Sequence, residues 1–163
     1  MTVTVRKATD ADLAAIADVG RRTWHVTYEP FTGPEYVARG LARWWSEDAL
    51  RRGLERTLVA ADASGAVIGM ASFTPDGDVL ILWKLYVLPE AQGTGAGTAL
   101  LHRVIADASS HYSAVRLEYL DGNDHAAGFY ERNGFTFLKR ESDPDRGPDA
   151  MWMERADGPL PAR

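Results

Sequence analysis

The sequence predicts an α+β fold, one mixed and mostly antiparallel sheet flanked by helices on both faces, on three observations. Residues 2–8 alternate valine with polar side chains, the period of a half-buried strand. Residues 58–61, 67–73 and 79–87 are apolar runs separated by Ser64-Gly65 and by Pro75-Asp76-Gly77, the punctuation of an antiparallel meander. The last run passes through Pro89 into a glycine-rich stretch and then a segment with Leu100, Leu101, Val104, Ile105 and Ala108 on one helical face.

Taken in order, the first strand is followed by Thr9 and Asp12, spaced as a helix-capping pair. Leu13, Ile16, Gly20 and Trp24 then share one helical face, and the helix is expected to stop near Glu29-Pro30, because a residue before proline disfavours helix. Residues 30–45 are aromatic and interrupted by Gly33, Pro34 and Gly40, which predicts a mobile cover. Ser46 before Glu47 and Asp48 predicts a short capped helix. Beyond the glycine-rich segment, residues 115–120 read as a strand and 123–133 as a helix closed by Gly134; 135–139 and 150–153 read as two final strands. One domain is expected over residues 1–155, with 156–163 a flexible tail.

Composition narrows the functions. Apolar residues make up 45% and charged residues 25% of the 163, an ordinary globular balance. A formal net charge of −5 argues against a general electrostatic grip on nucleic acid. With no cysteine, disulfides and thiolate nucleophiles are excluded. The histidines, His25, His102, His111 and His125, have no metal-ligand spacing, so no metal is expected. The first eight residues lack the apolar stretch of a signal peptide and no run is long enough to span a membrane, so the cytoplasm is the expected location.

The segment Gln92-Gly93-Thr94-Gly95-Ala96-Gly97 follows a strand and opens a helix. Successive backbone N–H groups there can converge on one anion with the helix dipole behind them, as a pyrophosphate requires. Glycine permits both close approach and positive φ. A Walker loop needs lysine where Thr98 stands, and a dinucleotide fingerprint needs GxGxxG near the first strand of parallel units. The same glycines could also form a plain turn.

Two motifs in fixed order resolve these alternatives. Leu85-Tyr86-Val87-Leu88-Pro89 followed by Gln92, Gly95 and Gly97 resembles the acetyl-CoA signature of the GNAT N-acetyltransferase superfamily. Asn123, Ala126, Ala127, Phe129 and Tyr130, closed by Asn133-Gly134-Phe135, resemble that family's second motif. The resemblance extends over most of the chain and is weaker before residue 57. It implies the GNAT fold, acetyl-CoA as co-substrate, and transfer of its acetyl group to a primary amine.

The same resemblance implies residue roles. The backbone of Gln92, Gly93, Thr94, Gly95, Ala96, Gly97 and Thr98 would hold the pyrophosphate, and the Leu85, Tyr86 and Val87 segment would pair with the pantetheine arm. The Leu85 N–H would face the thioester carbonyl, as an oxyanion donor. Tyr130 would protonate the departing thiolate, while Asn123 caps its helix and reaches the cofactor and Ala126 and Ala127 keep that surface thin. Each has a plain structural reading as well, Tyr130 as a core aromatic and Asn123 as a cap.

One departure stands out. Many relatives carry a glutamate four residues before the position of Leu85, where this chain has Ile81 in an apolar run. An attacking amine must be neutral, so a substitute base is needed. Glu118 is favoured over Asp121, Glu29, His125 or a water chain, although a lone strand glutamate is commonly just exposed. For the acceptor, Trp24, Tyr28, Glu29 and Trp83 are candidate pocket residues, aromatic faces with a carboxylate suiting a cationic amine. The expected acceptor is a small-molecule amine. A protein N-terminus or lysine is an alternative, as is a CoA-binding sensor without turnover. Relatives that dimerise do so through late strands or early helices, which leaves a homodimer open.

Overall fold

The computed structural model describes residues 2–145 and 147–156. Its strands are β1 (Thr4–Lys7), β2 (Thr57–Ala61), β3 (Val67–Asp76), β4 (Val79–Val87), β5 (Ala114–Leu120), β6 (Thr136–Glu141) and β7 (Ala150–Ala156). Its helices are α1 (Leu13–Thr27), α2 (Glu29–Thr32), α3 (Pro34–Trp44), α4 (Glu47–Arg52), α5 (Ala96–Ala108) and α6 (Asp124–Arg132). The strands form one seven-stranded sheet in the order β1-β2-β3-β4-β5-β7-β6. β1 with β2, β2 with β3, β5 with β7 and β6 with β7 are antiparallel, and β4 with β5 is parallel. The expected mixed, mostly antiparallel sheet is present. A parallel pair needs a crossover longer than a hairpin, and α5 lies in that connection.

The chain divides into two compact units, Met1–Phe73 with Lys84–Arg103, and Thr74–Trp83 with Val104–Arg163. In the first unit, the predicted pair Thr9 and Asp12 forms a capping box on a 3-10 turn, Asp10–Asp12, that runs directly into α1. Asp12 accepts from the Thr9 N–H at 2.8 Å and from both terminal nitrogens of Arg6 at 2.8 and 2.9 Å. The Arg6 guanidinium, followed by the Thr9 amide, holds the Asp12 carboxyl below its ordinary range. Ser46 caps α4 by accepting the Ala49 N–H at 3.2 Å.

Residues 30–45 differ from expectation: they are largely helical, as α2 and α3. Their apparent breakers are helix-compatible. Pro34 occupies the first position of α3, where its missing N–H costs nothing, and Gly33 precedes it at φ +85°. Gly40 makes room for a neighbour, because a Cβ there would lie 2.1 Å from the Trp24 ring. Gly20 on α1 does the same for Trp45, also at 2.1 Å. Both indoles are buried against bare helix backbone.

That packing makes a stability prediction in which two effects oppose. Alanine gains about 1 kcal/mol of helix propensity over glycine, whereas overpacking a rigid core costs about 1–3 kcal/mol. Gly20→Ala is expected to lower the urea midpoint, since a buried indole has nowhere to move. Gly128→Ala on α6, where the nearest atom is the flexible end of Arg132 at 3.1 Å, is expected to leave it unchanged or raise it. Equal responses at the two sites would contradict this reading of Gly20.

In the second unit, β5 buries Ala114, Val115 and Leu117, while β7 buries Trp152, Met153 and Arg155. Asn123 caps α6, its Oδ1 accepting the Ala126 N–H at 3.3 Å. Gly134 follows that helix at φ +87°, and the Arg155 Nε–H donates to the Asn133 carbonyl at 3.1 Å. β6 is exposed along its length and is the terminal strand of the sheet. Ala156 ends β7; the rest of the expected tail, 157–163, lies outside the described residues.

Candidate active site

The glycine-rich loop belongs to the first unit. Pro89–Ala91 form a single 3-10 turn, after which Gly93 and Gly95 take φ of +84° and +89°. An added Cβ at either would meet no atom within 4 Å, so glycine is demanded there by backbone conformation and the space beside it is open. Gly97 lies inside α5 at ordinary helical φ, so its freedom is not conformational. The Thr94 hydroxyl donates to the Ala91 carbonyl at 2.6 Å, and the Ala99 N–H starts the helical ladder on the Gly95 carbonyl at 2.9 Å. Amides of the first turn upstream of Ala99 have no intrahelical acceptor. The Gln92 and Thr94 N–H groups donate to the Pro89 and Ala91 carbonyls at 3.3 Å and the Ala96 N–H to the Thr94 Oγ1 at 3.4 Å, so the amides that fit a pyrophosphate without giving up a bond are those of Gly93, Gly95, Gly97 and Thr98.

Upstream, Leu85, Tyr86 and Val87 end β4. The Tyr86 hydroxyl lies 2.9 Å from that of Tyr28, and the Tyr86 ring packs edge-on to Trp45 at 5.4 Å between centroids. The candidate acceptor residues Trp24 and Tyr28 are buried, their rings 4.9 Å apart. Glu29 is at the surface, 2.6 Å from the His25 Nδ1. Sequence reasoning missed Lys84. Its ammonium donates to the Trp44 carbonyl at 2.6 Å and lies 4.5 Å from the Trp45 ring centroid. Burial lowers its pKa to about 8. The available signal was a lone charge in an otherwise uncharged strand.

Trp83, Glu118, Asn123, Ala127 and Tyr130 belong to the second unit. The β4–β5 ladder runs from Val79 opposite Ala114 to Leu82 opposite Leu117, and Glu118 is the next residue of β5. Ile81 lies opposite Arg116, whose Nε–H donates to Glu154 at 2.6 Å. Side chains two apart on a strand share a face, so Glu118 occupies the row after Ile81 on the same side of the sheet. It lies opposite Trp152, whose ring meets Trp83 edge-on at 5.8 Å.

No hydrogen bond or ion pair to the Glu118 carboxylate occurs among the described residues. Burial first, and then the negative charge of Glu141, push its pKa upward. Lys139 lies over the Trp152 ring at 5.5 Å and pairs with Glu141 at 3.8 Å, so the half-buried Glu118 carboxylate has no ion-pair partner among the described residues and can accept a proton or hold an ammonium. Trp152, whose buried indole N–H finds no acceptor among the described residues, was the second residue missed. Its strand position opposite Glu118 follows only from the register.

Tyr130 is buried on α6, its ring edge-on to Phe129 at 5.3 Å and to Phe135 at 5.8 Å. Ala127 lies on the same helix and is half-buried. No group of three or more metal-ligating side chains occurs among the described residues, and no helix among them is long and apolar enough to cross a membrane.

A family model described as Acetyltransferase (GNAT) family matches residues 18–135, from within α1 to the residue preceding β6. An uncharacterized N-acetyltransferase of Mycobacterium tuberculosis is 34% identical over 133 residues, covering 78% of this chain and 83% of that protein. A spermidine N(1)-acetyltransferase of Thermoplasma acidophilum is 25% identical over 143 residues, 83% of this chain and 89% of that one. Among solved structures, the PaiA N-acetyltransferase of Thermoplasma acidophilum in complex with coenzyme A shares the fold with a TM-score of 0.82. That likeness has 24% identity and covers 96% of this chain and 99% of that one. With the glycine cradle, the family match and these relatives in agreement, the chain belongs to the GNAT acetyltransferase family and is an acetyl-CoA-dependent acetyltransferase.

Proposed function

We propose that this chain transfers an acetyl group to a primary amine of a small molecule by direct attack, in the cytoplasm, with residues 1–155 acting as one catalytic domain. The observation that carries the proposal is Glu118, a half-buried carboxylate with a raised pKa and no ion-pair partner among the described residues, one row from the place where relatives carry their base.

Acetyl-CoA supplies the activated acyl group. The Gln92, Gly93, Thr94, Gly95, Ala96, Gly97 and Thr98 backbone binds its pyrophosphate, and Leu85, Tyr86 and Val87 hold its arm, with Asn123 and Ala127 completing the cofactor surface. As the amine nitrogen bonds to the acetyl carbon, the Leu85 N–H stabilises the charge developing on the carbonyl oxygen. Glu118, directly or through water, takes the proton the nitrogen loses. The Tyr130 hydroxyl gives its proton to the sulfur as the carbon–sulfur bond breaks, and both groups then re-equilibrate with solvent. Trp83, with Trp24, Tyr28 and Glu29, shapes the acceptor side.

Calorimetric titration with acetyl-CoA, followed by thiol release with an amine panel, tests this reading. Binding in the micromolar range is expected, weakened at least about tenfold in Gly95→Val, because a β-branched residue is strained at φ +89°. Binding without turnover of any amine would identify a sensor instead.

A further inference from the structure

We propose that Lys84 is the counter-ion for an anionic group carried by the acceptor, a carboxylate in the simplest case, so that amino acids are preferred over polyamines and simple alkylamines. This rests on the acetyltransfer reading above and names the substrate class of that site.

Lys84 is the only charged residue of β4 and immediately precedes Leu85. An ammonium has three N–H donors, and one is used on the Trp44 carbonyl. Trp44 is the last residue of α3, so that carbonyl lies at the negative end of a helix dipole, and the Trp45 ring adds a cation–π contact. These dipoles hold the ammonium in place without neutralising it.

No carboxylate pairs with Lys84 among the described residues, and burial alone accounts for its lowered pKa. Asp18 and Glu90 pair with Arg22, Glu29 with His25 and Glu47 with Arg51, while Glu35 of α3 and Asp48 of α4 form no ion pair with Lys84. The neighbouring indole N–H groups of Trp24 and Trp45 also find no acceptor among the described residues. The cluster therefore has donors in excess, and both Lys84 and Arg43, whose guanidinium lies 5.4 Å from the Trp44 ring centroid, lack an ion-pair partner among the described residues, in a chain whose formal net charge is −5. Trp44, whose carbonyl takes the ammonium, is itself 42% exposed.

The missing anion is not the cofactor's pyrophosphate. At about 3.3 Å per strand residue, Lys84 lies about 13 Å along the chain from Leu88, before the phosphate loop begins. With the thioester carbonyl at the Leu85 N–H, the anion at this end comes from the acceptor. A polyamine would bring like charge to the same place, which disfavours it.

The test is steady-state kinetics with α- and ω-amino acids, each compared with its amide and its decarboxylated amine, and with spermidine. The expected result is a kcat/KM at least about tenfold higher for the carboxylate form, since a charged hydrogen bond commonly changes affinity by that factor or more. Lys84→Met should abolish the preference, chiefly through KM, and Lys84→Arg should keep part of it, with acetyl-CoA affinity unchanged in both. If Lys84→Met fails to fold, the wild-type preference and the arginine variant still decide. Turnover with spermidine or decarboxylated amines favoured would overturn this inference alone. A uniform fall in kcat for every acceptor in Lys84→Met would also overturn it, by making the lysine a base. Acetyl-CoA binding without turnover of any amine would overturn the underlying reading as well.

Discussion

Glu118→Gln is expected to lower kcat/KM by about 10²–10³-fold at pH 7, the range of a lost general base. An amine of pKa near ~10.4 is only about 0.04% neutral at that pH, so a base that follows proton loss in the transition state matters most there. The loss should shrink roughly tenfold per pH unit, because the amine deprotonates itself as the solution becomes alkaline. In the wild type, burial and Glu141 move the acidic limb of the rate profile above the usual carboxylate range. Activity rises with pH through that limb, and the limb should vanish in the glutamine variant. Parallel profiles separated by a constant factor would remove Glu118 from proton transfer.

Stability provides a control with the opposite sign. A carboxyl whose folded pKa lies above its unfolded value costs stability once pH rises through the window between the two, since the unfolded state releases the proton first. Glu118→Gln removes that cost at neutral pH, so its Tm should equal or exceed the wild type while activity collapses. A lower Tm would indicate that the side chain is structural.

Tyr130→Phe is expected to reduce kcat by about 10²-fold, near the low end for acid catalysis. A thiol titrates near ~8.5, which makes thiolate a tolerable leaving group even without full proton transfer. The ring contacts with Phe129 and Phe135 survive the substitution, so the fold and acetyl-CoA affinity should change little. Single-turnover thiol release measures the step directly. An unchanged rate would assign Tyr130 to the core alone.

The elements with a local cause were legible. The capping pair Thr9 and Asp12, the Ser46 and Asn123 caps, the positive-φ glycines at 93 and 95, and the apolar face of α5 each depend on neighbours within a few residues. The helices α2 and α3 were not legible, because Gly33, Pro34 and Gly40 have the composition of a loop. Gly40 is there for the Trp24 ring, a contact between two different helices, 16 positions apart, that no periodicity within one helix reveals.

By itself the sequence determined the family, a matter of residue type at fixed spacing, and it put apolar Ile81 where the resemblance leads one to expect a base. Tertiary structure decided what stands beside that gap. The strand register puts Glu118 one row from Ile81 and opposite Trp152, and the packing of α3 against β4 leaves Lys84 on a helix end without an acid. Both depend on pairing between segments far apart in the chain. Burial, and with it the pKa shift of each group, exists only once that pairing has removed water from around it.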